Sequence, residues 1–428
     1  MPTLCLNQKR VMKNFPRILS ATVLLLGLIG YSPSLLCAQI PVDTQEKATY
    51  QAYMDSFEEI FKVMMDNYYY TVDRANFDRF VEKFNNEIYG KIEDKRTVNK
   101  FVQMRSGAFL VDFLKTPEDR FSALFPPQEA KAFEQEALGV RVDLGIEGVL
   151  CDQGYCVSFV ESRADAYEKG LRPADILVKI DNLVVKKLAL EKIQKLLNPE
   201  INTIVKLEYL RPQVEGKMSM EVTSKEYFKE TVFPIIIPYE GIYGLEIRRF
   251  NRMTADDLSK YLFVIKQQKN LGLILDLRGN PGGPPLSARE IVSFFLEPEK
   301  NFAYFERKGD ERNYLDVPRI PDEYCYHEPM IILVNQESGS ASELFSGVMQ
   351  KEGRAFLMGT NTAGQVFLKS MFNLKDDAML LLVTARGHFP NGDVFDFNGL
   401  APQYHMDSKG MDLVYFAAGY LLGISPKK

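Results

Sequence analysis

A short apolar run at residues 331–334, Ile-Ile-Leu-Val, is bounded by polar residues and reads as a buried strand. A turn of small residues follows: Ser338, Gly339, Ser340, Ala341, Ser342 and Glu343. Leu344, Phe345 and Val348 then recur at the spacing of one helix face. A serine on a strand-to-helix turn lies beside the unpaired N–H groups of the helix start, which can stabilise an oxyanion. Acyl transfer asks that placement of a nucleophile. The same serines can instead be N-caps whose hydroxyls satisfy those N–H groups, and spacing alone favours the cap.

The rest of the composition narrows the chemistry. The 428 residues include three histidines, His327, His388 and His405, and no cysteine pair stands near them at ligand spacing, so no metal and no cofactor is expected. The glycine-rich stretch at 278–283, Arg-Gly-Asn-Pro-Gly-Gly, lacks the Gly-Lys-Ser/Thr ending of a phosphate loop. Residues 1–38 read as a secretory signal peptide: Lys9, Arg10, Lys13 and Arg17 precede an apolar run at 18–29, and Ala38-Gln39 is a plausible cleavage junction. Met12 is an alternative start, and lipidation at Cys37 is the lesser reading because bulky Leu36 precedes it. Cleavage removes those four basic residues and no acid, taking the net charge from −5 to −9. Nucleic acid is therefore not an expected partner. An exported protein without an integral span after signal removal is expected, placed in a periplasm, outside the cell or at a membrane surface. Cys151 and Cys156 flank a hairpin-like loop, and a disulfide or two small buried thiols both fit.

Residues 334–364, VNQESGSASELFSGVMQKEGRAFLMGTNTAG, resemble the catalytic segment of the tail-specific, or C-terminal-processing, serine peptidases. That family carries a Ser-Ala-Ser-Ala-Ser-Glu turn, a helix, a Gly-Arg-Ala strand and a Phe-Gly-Lys. The resemblance places the nucleophile on Ser340 and the oxyanion donors on the N–H groups of Gly283 and Ala341. It places the general-base lysine on Gln365, whose amide has no basic lone pair. Lys351 lies eleven residues beyond Ser340, roughly 16 Å away along a helix. Lys369 lies four residues past Gln365 along an expected strand at about 3.3 Å each, which puts it out of reach as well. In the related segment at 114–121, a position where some relatives carry an assisting His holds Glu118, and Asp396 takes a late acidic position.

These residues need a scaffold. Residues 45–133 show helical spacing, as in Tyr53, Phe57, Ile60, Phe61 and Met64, whose aromatics read as core. Residues 138–224 change to short strands with one helix at 188–197. Within them ADAYEKGLRPADILVKID, at 164–181, resembles a PDZ domain, a fold that binds extended C-termini by strand addition. The resemblance assigns the peptide-binding loop to Leu138, Gly139 and Val140; a PDZ retained as a packed spacer is the competing reading. Beyond 226, strands and helices alternate as in an α/β core. The expected fold is thus a multidomain α/β protein: signal peptide 1–38, helical domain 39–134, PDZ domain 135–225, and a peptidase core of the ClpP/crotonase-like type at 226–428. The resemblance implies a serine-type peptidase acting on unfolded or C-terminal peptide segments. The alternative is a non-catalytic relative that binds peptides through its PDZ domain, because position 365 is a glutamine.

Overall fold

A computed structural model describes residues 43–394, 398–408 and 410–424. The expected signal peptide and Asp396 lie outside the described residues. The central sheet has six strands in the order Val232–Ile235, Ile242–Ile247, Gly272–Asp276, Met330–Val334, Phe356–Gly359 and Tyr404–His405. The first pairs antiparallel and the other five run parallel. Gly272–Asp276 and Met330–Val334 are buried at every residue, which explains their unbroken apolar sequence.

Helices cover both faces. Leu258, Leu262 and Ile265 of Thr254–Lys266, Ile291 of Pro285–Val292, and Leu344, Phe345 and Val348 of Ala341–Lys351 pack with Leu273, Leu275 and Ile332. On the other face Leu413, Val414, Ala417 and Ala418 of Asp412–Leu421 pack with Ile274, Ile331 and Leu333. The strand alternation thus sends neighbouring residues into two separate apolar layers. Burying a side chain such as Phe345 contributes roughly 1.5–3 kcal/mol, so the helix that follows the serine turn is firmly seated.

A second sheet is built around the long strand Met379–His388, which pairs with Ala123–Phe125, Asn301–Arg307 and Phe367–Asn373. Helices Thr44–Asn67, Arg74–Glu87 and Lys100–Leu114 set Phe57, Phe80 and Phe84 into one cluster with Phe367, Leu380, Leu382 and Val383. The amino-terminal helices therefore share a core with strands from the carboxyl-terminal half. This union brings the turn after Lys100–Leu114 beside Phe367–Asn373.

Between these parts, residues 146–223 form a separate antiparallel sheet closed by helix Leu190–Leu197, whose Ile193 and Leu197 are buried with Leu177, Ile180 and Leu207. Val140–Asp143 is not part of that sheet and pairs with Lys225–Phe228. Of the two readings of the hairpin cysteines the disulfide is the one found, with Cys151 bonded to Cys156.

Candidate active site

Three loops meet at the carboxyl ends of adjacent parallel strands, where open α/β sheets place their sites. Residues 277–284 follow Gly272–Asp276, 335–340 follow Met330–Val334, and 360–366 follow Phe356–Gly359. They are tied together by backbone and amide groups. Gly279 N donates to Asn335 Oδ1 (2.9 Å), Gly339 N to the Asn280 carbonyl (3.0 Å), and Ala363 N to the Ser338 carbonyl (2.9 Å).

The three serines of the turn have different surroundings. Ser338 is fully buried, and its hydroxyl donates to the Leu277 carbonyl (2.8 Å) and accepts from Asn335 N (2.9 Å). Ser342 is buried within the helix. Ser340 is half-exposed, at the N-cap position of Ala341–Lys351, with φ 53° and ψ −115°. Ser340 and Glu343 form the reciprocal capping box, but an ordinary N-cap has extended backbone and Ser340 does not. A non-glycine residue held in such a region costs about 1–3 kcal/mol, and strain of this kind collects at functional sites.

Glu343 fixes the turn. Its Oε2 accepts from Ser340 N (2.9 Å) and Gln365 N (2.8 Å), and its Oε1 from Thr362 Oγ1 and Gly364 N (2.6 Å each). Four donors offset the cost of burying the charge and pin the 360–366 loop against the serine. Sequence reasoning gave Glu343 no such role. Its signal was the capping-box spacing, Ser340 followed three residues later by a glutamate.

The glycine pair lies close by. A Cβ on Gly282 would fall 2.6 Å from the Gly339 carbonyl oxygen and 2.8 Å from Ser340 Cβ, so only bare backbone fits there. Gly283 lies beside Phe250, whose carbonyl oxygen would be 2.0 Å from an added Cβ. Asn280 Oδ1 accepts the Gly282 N–H (2.8 Å), whereas the N–H groups of Gly283 and Ala341 have no acceptor among the described residues.

Position 365 carries an amide, with its backbone beside Ser340 through the shared Glu343 oxygen. Lys351 is ion-paired to Asp393 and lies 4.2 Å over the Phe389 ring, and Glu118 is exposed. The chain before Lys369 does not run straight, as the strand expectation had it: Phe367 N donates to the Gln365 carbonyl (3.0 Å) and the chain turns at Val366. The register against Met379–His388 also slips between Leu368 and Lys369. The Lys369 ammonium lies 4.6 Å from the Phe121 ring centroid. Burial pushes its pKa below the ordinary lysine value, and the charges of Glu343 and Asp119 act the other way.

Residues 242–406 match the sequence profile of Peptidase family S41. The chain resembles the C-terminal-processing peptidases of that family. It is 23% identical over 394 residues to the carboxy-terminal processing protease CtpB of Bacillus subtilis, covering 91% of this chain and 75% of the relative. It is 26% identical over 302 residues to a probable CtpA-like serine protease of Staphylococcus haemolyticus, covering 69% of this chain and 59% of the relative's length. The solved structure of a photosystem II D1 C-terminal processing protease superposes with a TM-score of 0.50 at 18% identity, over 88% of this chain and 97% of that one, and shows a shared fold.

Within this S41-like chain the expected peptide-binding residues sit at one helix-to-strand junction. Leu138 ends helix Pro127–Leu138, Gly139 caps it with φ 69°, and Val140 opens Val140–Asp143. The Gly139 carbonyl accepts from Lys229 N (2.9 Å), and a Cβ on Gly139 would meet the Asn251 side chain at 2.8 Å. A cleft of about 700 Å³ runs from Gly139 and Arg141 past Lys229 and Asn251 to Gly279 and Pro281. It thus joins this junction to the glycine loop beside Ser340. Among the described residues no helix is long and apolar enough to cross a membrane.

Proposed function

We propose that this chain is an exported serine-type peptidase that captures protein C-termini at Leu138, Gly139 and Val140 and cleaves by acyl transfer from Ser340. The observation that carries the reading is the Ser340 turn: a strained, half-exposed serine followed by the Ala341 N–H and packed against the glycine loop that carries the Gly283 N–H, both without acceptors among the described residues. Ser340 Oγ attacks the substrate carbonyl carbon, and the oxygen that gains charge lies between those N–H groups. One such donor is worth roughly 10²–10³ in rate. The acyl-Ser340 ester is then hydrolysed by water. In this reading 135–225 is a PDZ domain that presents the chain end and 226–428 is the catalytic core, with the cleft from Gly139 to Pro281 as the path between them.

Denatured casein incubated with the purified protein should be cleaved, and Ser340→Ala should abolish the cleavage. Calorimetry with peptides should show binding that weakens when the same C-terminus is amidated. Cleavage unaffected by Ser340→Ala contradicts the catalytic assignment, and equal affinity for both peptide forms contradicts the recognition assignment. Gln365 favours a second reading, a non-catalytic peptide-binding relative, because the residue that resemblance makes the base cannot accept a proton. That reading predicts C-terminal binding without turnover.

A further inference from the structure

We propose that Lys369 is the general base for Ser340, supplying from the strand Phe367–Asn373 the amine that position 365 lacks. The inference rests on Ser340 being the nucleophile. Glu343 Oε2 receives both the Ser340 and the Gln365 N–H, so the start of the Lys369 segment is fixed beside the serine. The turn at Val366 then folds the chain back, and Phe367 and Lys369 share one face of the strand, both against Phe121. A four-carbon stem bridges the remaining span more readily than the straight strand allowed.

The surroundings of the amine fit the role. Phe121 packs against both Phe367 (ring centroids 6.0 Å apart) and the Lys369 ammonium, forming an apolar floor. Two carboxylates act on the ammonium, Glu343 from the nucleophile helix and Asp119 from the turn after Lys100–Leu114. The neighbouring strand places Val383 opposite Lys369 and Arg386 opposite Phe367. Glu343 is occupied by its four donors, and Asp119 Oδ1 accepts from Phe121 N (2.8 Å) and Ser122 N (2.9 Å). Among the described residues the Lys369 ammonium makes no ion pair and no hydrogen bond, whereas Lys351 is paired on the surface. A buried lysine lacking a close counter-ion is the kind that loses its proton readily, and a base must be neutral to act.

In the step itself, neutral Lys369 Nζ takes the Ser340 proton as Oγ bonds to the substrate carbonyl carbon. Collapse of the tetrahedral adduct breaks the C–N bond, and the Lys369 ammonium returns the proton to the leaving amine. Water repeats the cycle on the ester: Nζ takes its proton, the new carboxyl group forms, and Ser340 Oγ recovers the proton.

The test compares wild type, Ser340→Ala, Lys369→Met, Lys369→Arg and the double variant Gln365→Lys/Lys369→Met on denatured casein, across pH, with thermal unfolding of each. Removal of a positioned base should lower kcat by about 10²–10⁴ in both single Lys369 variants, with KM and unfolding temperature close to wild type. Wild-type rate should rise with pH to a midpoint below the ordinary lysine value, and that rise should vanish in Lys369→Arg. The double variant should recover at least about tenfold over Lys369→Met, because the amine returns beside Ser340 by another stem. Wild-type cleavage that Ser340→Ala abolishes, but that Lys369→Met leaves within about threefold, would overturn this inference alone. Absence of cleavage in wild type and Ser340→Ala alike would overturn the peptidase reading and this inference with it.

Discussion

The turn at Ser340 and the turn at Gly139 are held in opposite ways. At Ser340 a buried carboxylate with four donors, the Asn280 clasp and two fully buried strands over-determine the backbone, strained angle included. At Gly139 the turn is held by backbone bonds, Gly139 N to the Glu136 carbonyl (3.2 Å) and Lys229 N to the Gly139 carbonyl (2.9 Å), beside a rim of partly exposed ion pairs in which Glu136 meets Lys229 (3.1 Å) and Arg249. Burial acts to raise the Glu136 pKa, but the two basic partners outweigh it and hold it low. Chemistry depends on placement to a fraction of an ångström, whereas recognition of varied chain ends tolerates a looser, solvent-adjustable edge. On the proposed function, the rigid turn would set kcat and the looser one would set which chain ends bind.

The largest expected effect breaks the rigid side. Glu343→Ala strands the N–H groups of Ser340, Gly364 and Gln365 and the Thr362 hydroxyl, so unfolding in denaturant should show a loss of at least about 3 kcal/mol. Casein cleavage should fall by at least about 10², because the serine and the 360–366 loop lose their common anchor. A variant as stable and active as wild type would mean that Glu343 does not hold the turn. Gly282→Ala comes next: its Cβ would sit 2.6 Å from the Gly339 carbonyl oxygen, and displacing the turn should lower kcat about 10–100-fold with peptide affinity unchanged.

On the other side, Gly139→Ala adds a side chain at φ 69° against Asn251. Calorimetry should show about tenfold weaker binding of free C-termini, from roughly 1–2 kcal/mol of backbone strain, while hydrolysis of a short ester substrate stays the same. Equal losses in both assays would mean that the two turns are not separable. The smallest effect concerns the Cys151–Cys156 hairpin. Its reduction should destabilise residues 146–223 by about 2 kcal/mol, since the closed loop is short, and leave ester hydrolysis untouched.

The strands and helices around Ser340 were legible because buried parallel strands and amphipathic helices write their periods into the sequence. Met330–Val334 falls within a residue of the apolar run at 331–334, and Leu344, Phe345 and Val348 lie on the buried face of Ala341–Lys351. Less legible was the pairing of elements across the core. The aromatic spacing of Tyr53, Phe57 and Ile60 shows a buried face but not that Leu380 and Val383 complete it. The sequence reading takes the strand straight from Gln365 to Lys369, and the turn at Val366 that bends this path leaves no composition signal. Glu343 had a readable spacing, yet its bonds to Thr362, Gly364 and Gln365 join segments that only the fold brings together.

The central claim is that Ser340, and not its neighbours, is the activated hydroxyl. The direct measurement is to treat the purified protein with a serine-reactive fluorophosphonate, digest it, and locate the added phosphonyl group by mass spectrometry. A single modified site at Ser340 is expected, lost in Ser340→Ala and slowed in Lys369→Met. Modification of Ser338 or Ser342 instead, or no modification of an intact folded protein, would contradict the claim.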